Sequence, residues 1–431
     1  MKIKVTKSKL NGEIQIPGSK SHTIRGIIAA LMAKGESTLR NPLVSDDTES
    51  CLYAARKLGA GFVDSHEDDM LIWKIKGPGG NLTNPEDAII DLGNSGTTLR
   101  LMTGIAATSP LKICFDGDTS LRGRPMGTLI SALQKLGAKI TAAEGGKCPL
   151  TINGPILGGE TIVEGKSSQF VSSLLFGAPL AKNDTKIYVI NLNEKPYLDV
   201  TLDWLKFLGI EYDNDPDYSV FTVKGSQKYR PFKKLIPADF SSSAFPLIAA
   251  AITDSNIKIK NLDFTDKQGD KKVFSYMEKM GMKISRSRSV VNVYKEHNLI
   301  GDIDFDMNSI PDALPIMSIA ACFATGKTIL SNAPHARIKE TDRIAAMAQE
   351  LKKMGADIEE LEDGLVIKKS KLHAAEVNGH GDHRIIMALA VAGMALKGET
   401  IINNAKEISV TYPSFVRDFK TLGAKIEIVQ E

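Results

Sequence analysis

Lysine and arginine side chains recur next to glycine and hydroxyl residues where a turn should lead into a helix. In residues 17–25 (PGSKSHTIR), Lys20 and Arg25 flank the expected helix start. Backbone N–H groups at such a turn are free to bind an anion. Lys20 and Arg25 are five residues apart, so they can hold different anionic groups. The pattern predicts a phosphate or carboxylate site, with an ordinary capped helix as the alternative.

Two further segments combine the same residue types. Residues 92–100 (LGNSGTTLR) place Gly96 before an apolar helix, where the missing side chain lets a ligand approach the backbone. A tight turn with a helix cap explains this segment equally well. In residues 116–126 (DGDTSLRGRPM), Arg124 precedes proline and should be extended. Arginine is suited to clamp planar oxyanions, although a surface loop is the simpler interpretation.

Carboxylates join the cations in the C-terminal half. The spacing of Lys339, Glu340 and Arg343 predicts that Lys339 and Arg343 share a helix face. Asp312 is a second acid, and residues 382–384 (DHR) precede an apolar stretch, where charges usually cap a helix. An acid beside two cations suits general acid–base work on an anionic substrate. A solvated, charged helix start is the alternative.

The composition argues against several classes of protein. The 431 residues carry 54 Lys and Arg against 51 Asp and Glu, so no basic nucleic-acid arm is indicated. The four cysteines form no CxxC pair, and no His/Cys cluster indicates a metal or a covalent nucleophile. The longest apolar runs are about a dozen residues, whereas a membrane span needs about 20. The N-terminus lacks the apolar core of a signal peptide, and we expect a cytoplasmic protein.

A short sequence motif recurs about every 72 residues. It usually consists of Lys, then Leu or Met, then Gly and an apolar residue. Its glycines are Gly59, Gly137, Gly209, Gly281, Gly355 and Gly423. Each copy of the motif should end a helix with a left-handed glycine and lead into a strand. Six copies in phase indicate internal duplication rather than chance. They predict a pseudo-symmetric α/β protein, with two domains of three units each as one arrangement.

The ordered motifs resemble those of the 5-enolpyruvylshikimate-3-phosphate synthase family along the whole chain. The matching segments are Pro17–Ser21 with Arg25, Gly93–Thr98 with Arg100, Arg124–Pro125, Ser167–Gln169, Lys195–Tyr197, Asp239 with Ser241–Ala244, Gln268–Asp270, Pro311–Ala313, Lys339–Arg343 and Asp382–Arg384. The resemblance implies an α/β fold of two domains, the enolpyruvyl transferase fold or inverse α/β prism, with six βαβαββ repeats. It implies one domain at residues 18–235 and another at 1–17 plus 236–431, with the active site in the cleft between them.

The resemblance also implies a reaction, the transfer of the carboxyvinyl group of phosphoenolpyruvate to the 5-hydroxyl of shikimate 3-phosphate through a tetrahedral ketal. The residues that it implies for shikimate 3-phosphate are Lys20, Ser21, Arg25, Ser167, Ser168, Gln169, Tyr197, Asp312, His335 and Lys339. Those that it implies for phosphoenolpyruvate are Lys20, Asn94, Gly96, Arg124, Gln169, Arg343 and Arg384. Asp312 is expected to take the hydroxyl proton, and Glu340 and Lys20 to exchange protons with the methylene and phosphate groups. No metal, cofactor, nucleic acid or membrane is expected to take part, and we expect a monomer.

Three positions depart from the family's pattern. Val410 stands where many members carry lysine, and Lys406 lies four residues earlier. His335 stands where asparagine is common. Glu194 stands where serine is common, beside the expected substrate phosphate. Because a phosphate would repel a carboxylate, we expect Glu194 to turn away or to pair with Lys195.

Two other functions are weighed against this one. UDP-N-acetylglucosamine enolpyruvyl transferases share the fold and the donor, but they usually carry a cysteine where this chain has Thr119, and they lack the Lys-Glu-Thr-Asp-Arg segment. A non-catalytic anion-binding protein would keep the cations and lose the carboxylates. Asp312 and Glu340 are both present, which favours an enzyme.

Overall fold

The chain folds into two compact units, as described by a computed structural model that covers residues 1–83, 89–253, 255–294 and 297–430. The discontinuous unit consists of Met1–Pro17 and Pro237–Glu431. The continuous unit consists of Gly18–Ile236. Each unit has its own apolar core. The chain therefore passes from one unit to the other after Pro17 and returns after Ile236.

Helices and strands alternate along both units. The helices are α1 (Lys20–Met32), α2 (Asp46–Lys57), α3 (Gly96–Ala106), α4 (Thr119–Gly123), α5 (Gly127–Lys135), α6 (Ser168–Gly177), α7 (Lys195–Phe207), α8 (Phe240–Ile252), α9 (Lys272–Lys279), α10 (Leu314–Phe323), α11 (Arg343–Lys353), α12 (His383–Ala395) and α13 (Phe415–Thr421). Short 3₁₀ turns are found at Ala178–Leu180, Gly269–Lys271, Pro311–Ala313, Pro334–Ile338 and Lys406–Val410. Within the described ranges, no helix is both long and apolar enough to cross a membrane.

The strands are short and mostly half-buried. They are β1 (Lys2–Thr6), β2 (Asn11–Gln15), β3 (Lys34–Arg40), β4 (Gly61–Glu67), β5 (Met70–Pro78), β6 (Ile89–Asp91), β7 (Lys112–Asp116), β8 (Lys139–Ala143), β9 (Lys147–Asn153), β10 (Gly159–Glu164), β11 (Thr185–Ile190), β12 (Tyr212–Asn214), β13 (Val220–Val223), β14 (Lys233–Leu235), β15 (Asn256–Lys260), β16 (Lys283–Ser287), β17 (Val290–Tyr294), β18 (Ile303–Asp306), β19 (Lys327–Ser331), β20 (Asp357–Glu360), β21 (Leu365–Lys368), β22 (Glu376–Asn378), β23 (Glu399–Asn403) and β24 (Lys425–Val429).

In the part of the chain that is described, these strands form six four-stranded sheets. The continuous unit holds the sheets β14-β3-β5-β4, β6-β7-β9-β8 and β10-β11-β13-β12, and the discontinuous unit holds β16-β17-β15-β2, β18-β19-β21-β20 and β22-β23-β1-β24. In each sheet one pair is parallel and the other pairs are antiparallel, as when β6 lies parallel to β7 and β9 antiparallel to both β7 and β8. A parallel pair requires a helical crossover, which α3 supplies here. The six βαβαββ repeats that the family resemblance implies are confirmed.

Three strands join sheets whose other members are distant in sequence. Strand β1 pairs antiparallel with both β23 and β24, with Val5 opposite Thr400 and Ile426. Strand β2 lies parallel to β15. Strand β14 lies parallel to β3, with Leu235 opposite Arg40. The last strand of the continuous unit thus completes that unit's first sheet, whereas the N-terminal segment supplies β2 to the first sheet and β1 to the last sheet of the discontinuous unit.

The repeated glycines close their helices as the sequence predicts. All six have positive φ angles, which are 106° at Gly59, 110° at Gly137, 71° at Gly209, 91° at Gly281, 89° at Gly355 and 96° at Gly423. Glycine adopts this region without steric cost, and a strand follows each of the six.

The helices α8, α10 and α12 form the centre of the discontinuous unit. Almost every residue of these three helices is buried, since their side chains are apolar or small. Packing on all sides fixes the first turns of α10 and α12. Asp312 lies in the 3₁₀ turn that leads into α10, and Arg384 lies in the first turn of α12.

Candidate active site

Arg343 is the centre of a charged cluster in the discontinuous unit. Its Nη1 donates to Asp312 Oδ1 at 2.6 Å, its Nη2 to Glu340 Oε2 at 2.7 Å and its Nε to Asp382 Oδ2 at 2.7 Å. Arg384 Nη2 lies 3.0 Å from the other oxygen of Asp312. Two guanidinium groups and three carboxylates therefore form one connected network, the Arg343 cluster.

The three carboxylates differ in exposure. The side chain of Asp382 is 0% exposed, while those of Asp312 and Glu340 are 18% and 12% exposed. Asp382 also caps α12, since its Oδ1 accepts a hydrogen bond from Arg384 N at 2.8 Å. Burial alone would lower the pKa of Arg343, but the charges of Asp382, Glu340 and Asp312 raise that pKa well above its ordinary value. Arg343 thus stays charged between one fully buried carboxylate and two that are partly exposed.

The predicted shared helix face of Lys339 and Arg343 is wrong. Helix α11 begins only at Arg343, and Lys339 follows the 3₁₀ turn Pro334–Ile338 with φ −85° and ψ −146°. Asp342 sets this start, because its Oδ1 accepts a hydrogen bond from Ala345 N at 3.0 Å. An aspartate in the N-cap position satisfies a backbone donor that has no partner within the helix. The charged segment before Arg343 is therefore a bend outside the helix.

His335 lies in the 3₁₀ turn Pro334–Ile338, and Lys406 and Val410 are the ends of the 3₁₀ turn Lys406–Val410. His335 is buried, and its Nε2 lies 3.1 Å from Asn308 O. Val410, at the position where lysine is common in the family, is buried in the core, whereas Lys406 is exposed at the other end of the same 3₁₀ turn. The valine side chain is thus largely shielded from solvent.

Lys20, in the continuous unit, is held by an acid that the sequence analysis did not identify. Its Nζ lies 3.0 Å from Asp47 Oδ2, and both side chains are largely buried. The carbonyl oxygen of Asp47 lies 3.4 Å from both Ser95 Oγ and Thr98 Oγ1. In the sequence Asp47 is one of three acids in the first turn of α2, where acids usually interact only with the helix dipole. No local signal distinguishes it from its neighbours.

Arg25 is buried and donates to three acceptors of its own unit. These are Thr201 Oγ1 at 2.9 Å, Ser21 O at 3.0 Å and Tyr197 O at 3.1 Å. Thr201 in turn shares a 2.8 Å hydrogen bond with Ser172 of α6. Burial lowers the pKa of Arg25 to about 10, which leaves the guanidinium charged at neutral pH. Helices α1, α6 and α7 therefore fix a cation that can bind a carboxylate.

The amide of Gln169 is held at both ends. Its Oε1 accepts from Arg100 Nη1 at 2.7 Å, and its Nε2 donates to Thr97 Oγ1 at 3.0 Å. The Arg100 guanidinium also lies 5.2 Å from the centre of the Phe170 ring. These contacts orient the amide of Gln169 at the start of α6, next to the segment that carries Gly96.

Arg124 is extended, as its position before proline predicts, with φ −81° and ψ 134°. Its Nη2 donates to Asn94 Oδ1 at 2.5 Å, and Asn94 Nδ2 donates to Asp118 Oδ2 at 2.9 Å. A Cβ atom added at Gly96 would overlap Arg124 Nη1. Glycine is therefore required at position 96 for the arginine to lie where it does.

Glu194 faces the two serines predicted to bind the substrate phosphate. Its Oε2 lies 3.1 Å from Ser168 Oγ, 3.3 Å from Ser168 N and 3.5 Å from Ser167 Oγ. The residue is only 2% exposed. Lys195 donates to Pro216 O at 3.2 Å instead. The expectation that Glu194 turns away or pairs with Lys195 is wrong, because Ser168 N and the two serine hydroxyls attract its carboxylate at the start of α6.

The predicted site residues fall into two sets, one in each unit. The continuous-unit set is Lys20, Ser21, Arg25, Asn94, Gly96, Arg124, Ser167, Ser168, Gln169 and Tyr197. The discontinuous-unit set is Asp312, His335, Lys339, Glu340, Arg343 and Arg384. Among the residues that the structure describes, no group of three or more His, Cys, Asp or Glu side chains is placed to hold a metal ion.

Known proteins resemble this chain along its whole length. The sequence profile of the EPSP synthase family, described as 3-phosphoshikimate 1-carboxyvinyltransferase, matches residues 5–419. A 3-phosphoshikimate 1-carboxyvinyltransferase of Acetivibrio thermocellus is 48% identical over 427 residues, covering 99% of both chains. One from Methanocaldococcus jannaschii is 42% identical over 427 residues, covering 97% of both. A solved EPSP synthase from Acinetobacter baumannii superposes with a TM-score of 0.83 over 100% of both chains, at 26% identity.

Proposed function

This chain belongs to the EPSP synthase family, and we propose that its two sets of residues transfer the carboxyvinyl group of phosphoenolpyruvate to the 5-hydroxyl of shikimate 3-phosphate, releasing phosphate. The reaction serves the synthesis of chorismate and the aromatic amino acids. The observation that carries this proposal is the Arg343 cluster. In that cluster two partly exposed carboxylates, Asp312 and Glu340, share one buried guanidinium. Such an arrangement couples the binding of an anionic substrate to the release of two acid–base groups.

The carboxylate of phosphoenolpyruvate is the anion assigned to Arg343 and Arg384. A planar carboxylate accepts two parallel hydrogen bonds from a guanidinium group. It would replace Asp312 and Glu340 on the Nη atoms, while buried Asp382 keeps its bond to Nε. Binding of the donor substrate therefore frees the two acids at the moment when they are needed.

The chemistry proceeds through an addition and an elimination. Glu340 in its protonated form donates a proton to the methylene carbon, which makes C2 electrophilic, and the 5-hydroxyl attacks C2 to give a tetrahedral ketal. Asp312 accepts the hydroxyl proton in this step. In the elimination, Glu340 removes a proton from the new methyl group, Lys20 protonates the departing phosphate, and the vinyl ether is restored. Fixed cations stabilise the charge that develops on the phosphate.

The remaining residues position the two substrates. The phosphate of phosphoenolpyruvate is assigned to Lys20, Asn94, Arg124 and Gln169, above Gly96. The carboxylate of shikimate 3-phosphate is assigned to Ser21 and Arg25, its phosphate to Ser167, Ser168 and Tyr197, and its ring to Gln169, Asp312, His335 and Lys339. The fixed guanidinium of Arg25 and the clamped amide of Gln169 support these assignments, because preorganised groups lose little entropy on binding.

The protein is proposed to act as a cytoplasmic monomer on these two small molecules. No metal, organic cofactor, nucleic acid or membrane is assigned a part in the reaction. The nearly balanced formal charge of +3 is consistent with small anionic substrates bound by a few placed cations.

Phosphate release from phosphoenolpyruvate tests the proposal directly. The purified protein is assayed with shikimate 3-phosphate, with UDP-N-acetylglucosamine and with no acceptor. Release with shikimate 3-phosphate alone is expected. Release with the sugar nucleotide alone would assign the chain to the other enolpyruvyl transfer reaction. Release with neither acceptor would leave an anion-binding protein.

A further inference from the structure

The carboxylate of Glu194 occupies a place that the backbone keeps fixed. Gly165 N donates to Ile190 O at 2.7 Å, and Asn193 N donates to Gly165 O at 3.0 Å, so the turn before α6 is tied to the turn before α7. Glu194 itself is left-handed, with φ 56° and ψ 40°, a conformation that a residue with a Cβ rarely adopts. The backbone thus holds Glu194 beside Ser167 and Ser168. Withdrawal of the carboxylate therefore requires rotation of the Glu194 side chain.

We propose that Glu194 sets the affinity of this protein for its phosphorylated acceptor, because its carboxylate occupies the phosphate position on Ser167 and Ser168 and must rotate away before the acceptor binds. The inference rests on the proposed function, which assigns the substrate phosphate to these serines. A carboxylate and a phosphate cannot share the donors of one serine pair, since both are anions that need the same N–H and O–H groups. The carboxylate of Glu194 therefore competes with the substrate phosphate for the hydrogen-bond donors of Ser167 and Ser168.

The serine pair does not depend on Glu194 for its shape. Ser167 caps α6 by accepting a hydrogen bond from Gln169 N at 3.4 Å, and Ser168 is the first residue of that ten-residue helix. Withdrawal of Glu194 leaves these donors in place and facing a dianion, which a helix N-terminus stabilises more strongly than a single charge. Substrate can therefore displace the side chain without rebuilding the site.

The need to withdraw the Glu194 carboxylate lowers the apparent affinity for shikimate 3-phosphate. When only a fraction of the protein has a vacant site, the apparent dissociation constant is the intrinsic constant divided by that fraction. If the carboxylate is withdrawn in roughly one molecule in ten, removing it lowers the KM for shikimate 3-phosphate by about tenfold. The KM for phosphoenolpyruvate and kcat should change by less than about twofold, because Glu194 has no role in the chemical steps.

Two substitutions and one matched control test the proposal. Glu194→Ser removes the side chain, and Glu194→Gln keeps its size but removes its charge. The control is Glu164→Gln at the end of β10, which removes a nearby charge that pairs with Lys166 at 3.2 Å instead of with the serines. Both Glu194 variants should lower the KM for shikimate 3-phosphate, Glu194→Ser the more strongly, and the control should not. Inorganic phosphate should also become a stronger competitor of shikimate 3-phosphate in the Glu194 variants.

An unchanged or higher KM for shikimate 3-phosphate in folded Glu194 variants would overturn the proposal. Circular dichroism identifies variants that do not fold. If the Glu194 variants do not fold, a crystal structure of the wild-type protein with shikimate 3-phosphate tests the proposal instead. In that crystal, Glu194 Oε2 should have left Ser168, and a carboxylate still bonded to both serines would refute the inference. If the wild type transfers nothing to shikimate 3-phosphate, the proposed function fails instead. Calorimetry with inorganic phosphate still distinguishes Glu194→Ser from wild type in that case.

Discussion

Arg343 Nε donates a 2.7 Å hydrogen bond to Asp382 Oδ2, although the two residues are 39 positions apart in the chain. The other oxygen of Asp382 accepts from Arg384 N at the start of α12. One buried carboxylate thus holds the guanidinium of Arg343 and the backbone of Arg384, the two arginines that are proposed to bind the carboxylate of phosphoenolpyruvate. We therefore propose Asp382 as a positioning residue for these two arginines.

Replacing Asp382 with asparagine should separate its role as the cap of α12 from its role as the counter-charge of Arg343. Asparagine caps a helix nearly as well as aspartate, so α12 should still begin at its present residue. The buried guanidinium of Arg343 loses its fixed counter-charge, which typically costs about 3–5 kcal/mol of stability when a buried pair is broken. We expect the KM for phosphoenolpyruvate to rise by about tenfold or more, with a smaller change in the KM for shikimate 3-phosphate. Asp357→Asn, an exposed site paired with Lys368, is the control in steady-state kinetics. Equal increases in both KM values would contradict a role in positioning Arg343.

Asp312→Asn should abolish most of the activity without abolishing binding. The amide keeps the size of the side chain and still accepts a hydrogen bond from Arg343, but it cannot take the hydroxyl proton. Loss of a general base usually costs about 10²–10⁴ in rate. Rapid-quench measurement of a single turnover should show a correspondingly slower formation of the ketal. A variant that keeps more than about a tenth of the wild-type kcat would exclude Asp312 as the base.

Features that recur along the sequence could be predicted from it. Six glycines about 72 residues apart identify the repeat, since each helix needs the same left-handed ending, and Gly355 and Gly423 have the expected positive φ. The spacing of charges wrongly predicted that Lys339 lies in the same helix as Arg343. The helix begins at Arg343 because Asp342 is its N-cap. Local patterns thus predict elements, and a side-chain hydrogen bond decides where an element begins.

The site could be predicted as a set of residues but not as a set of partners. The sequence identified Asp382 as a helix cap, and its second bond, to Arg343, depends on long-range packing. The direction of Glu194 was predicted wrongly because the prediction considered only repulsion from the substrate phosphate, whereas the protein's own serine donors attract the carboxylate. Asp47, the partner of Lys20, carries no distinguishing local pattern.

Gly96→Ala should weaken the binding of phosphoenolpyruvate. The new Cβ would overlap Arg124 Nη1 and displace the guanidinium that is assigned to the donor's phosphate. We expect the KM for phosphoenolpyruvate to rise by about tenfold, the equivalent of about 1.4 kcal/mol, with little change in the KM for shikimate 3-phosphate. Gly127→Ala is the matched control, because a Cβ there has no neighbour within 4 Å. A rise in both KM values, or none, would show that Arg124 does not set donor affinity.

Glu350 is the centre of a second hydrogen-bond network in the discontinuous unit. Its carboxylate, which is fully buried, accepts from Lys353 Nζ at 2.8 Å and from Asn378 N at 2.9 Å, and lies 2.7 Å from His380 Nε2. It therefore ties α11 to the turn that precedes Asp382. Burial alone would raise the pKa of Glu350, but the hydrogen bonds from Lys353, His380 and Asn378 outweigh it and lower the pKa below its ordinary value of 4.5.

The sign of this shift gives a pH-dependent prediction. A carboxyl whose pKa is lower in the folded state stabilises the fold fully above its unfolded pKa, and the contribution disappears as the pH falls through the folded pKa. Glu350→Gln should therefore reduce the free energy of unfolding at pH 7 by about 1–3 kcal/mol, as expected when buried donors lose a charged acceptor. The difference from wild type should shrink as the pH falls below 4.5. Urea unfolding at pH 7 and near pH 4 measures both values, with the exposed Glu359→Gln as control. A difference that stays constant between the two pH values would mean that Glu350 stabilises the turn by packing alone.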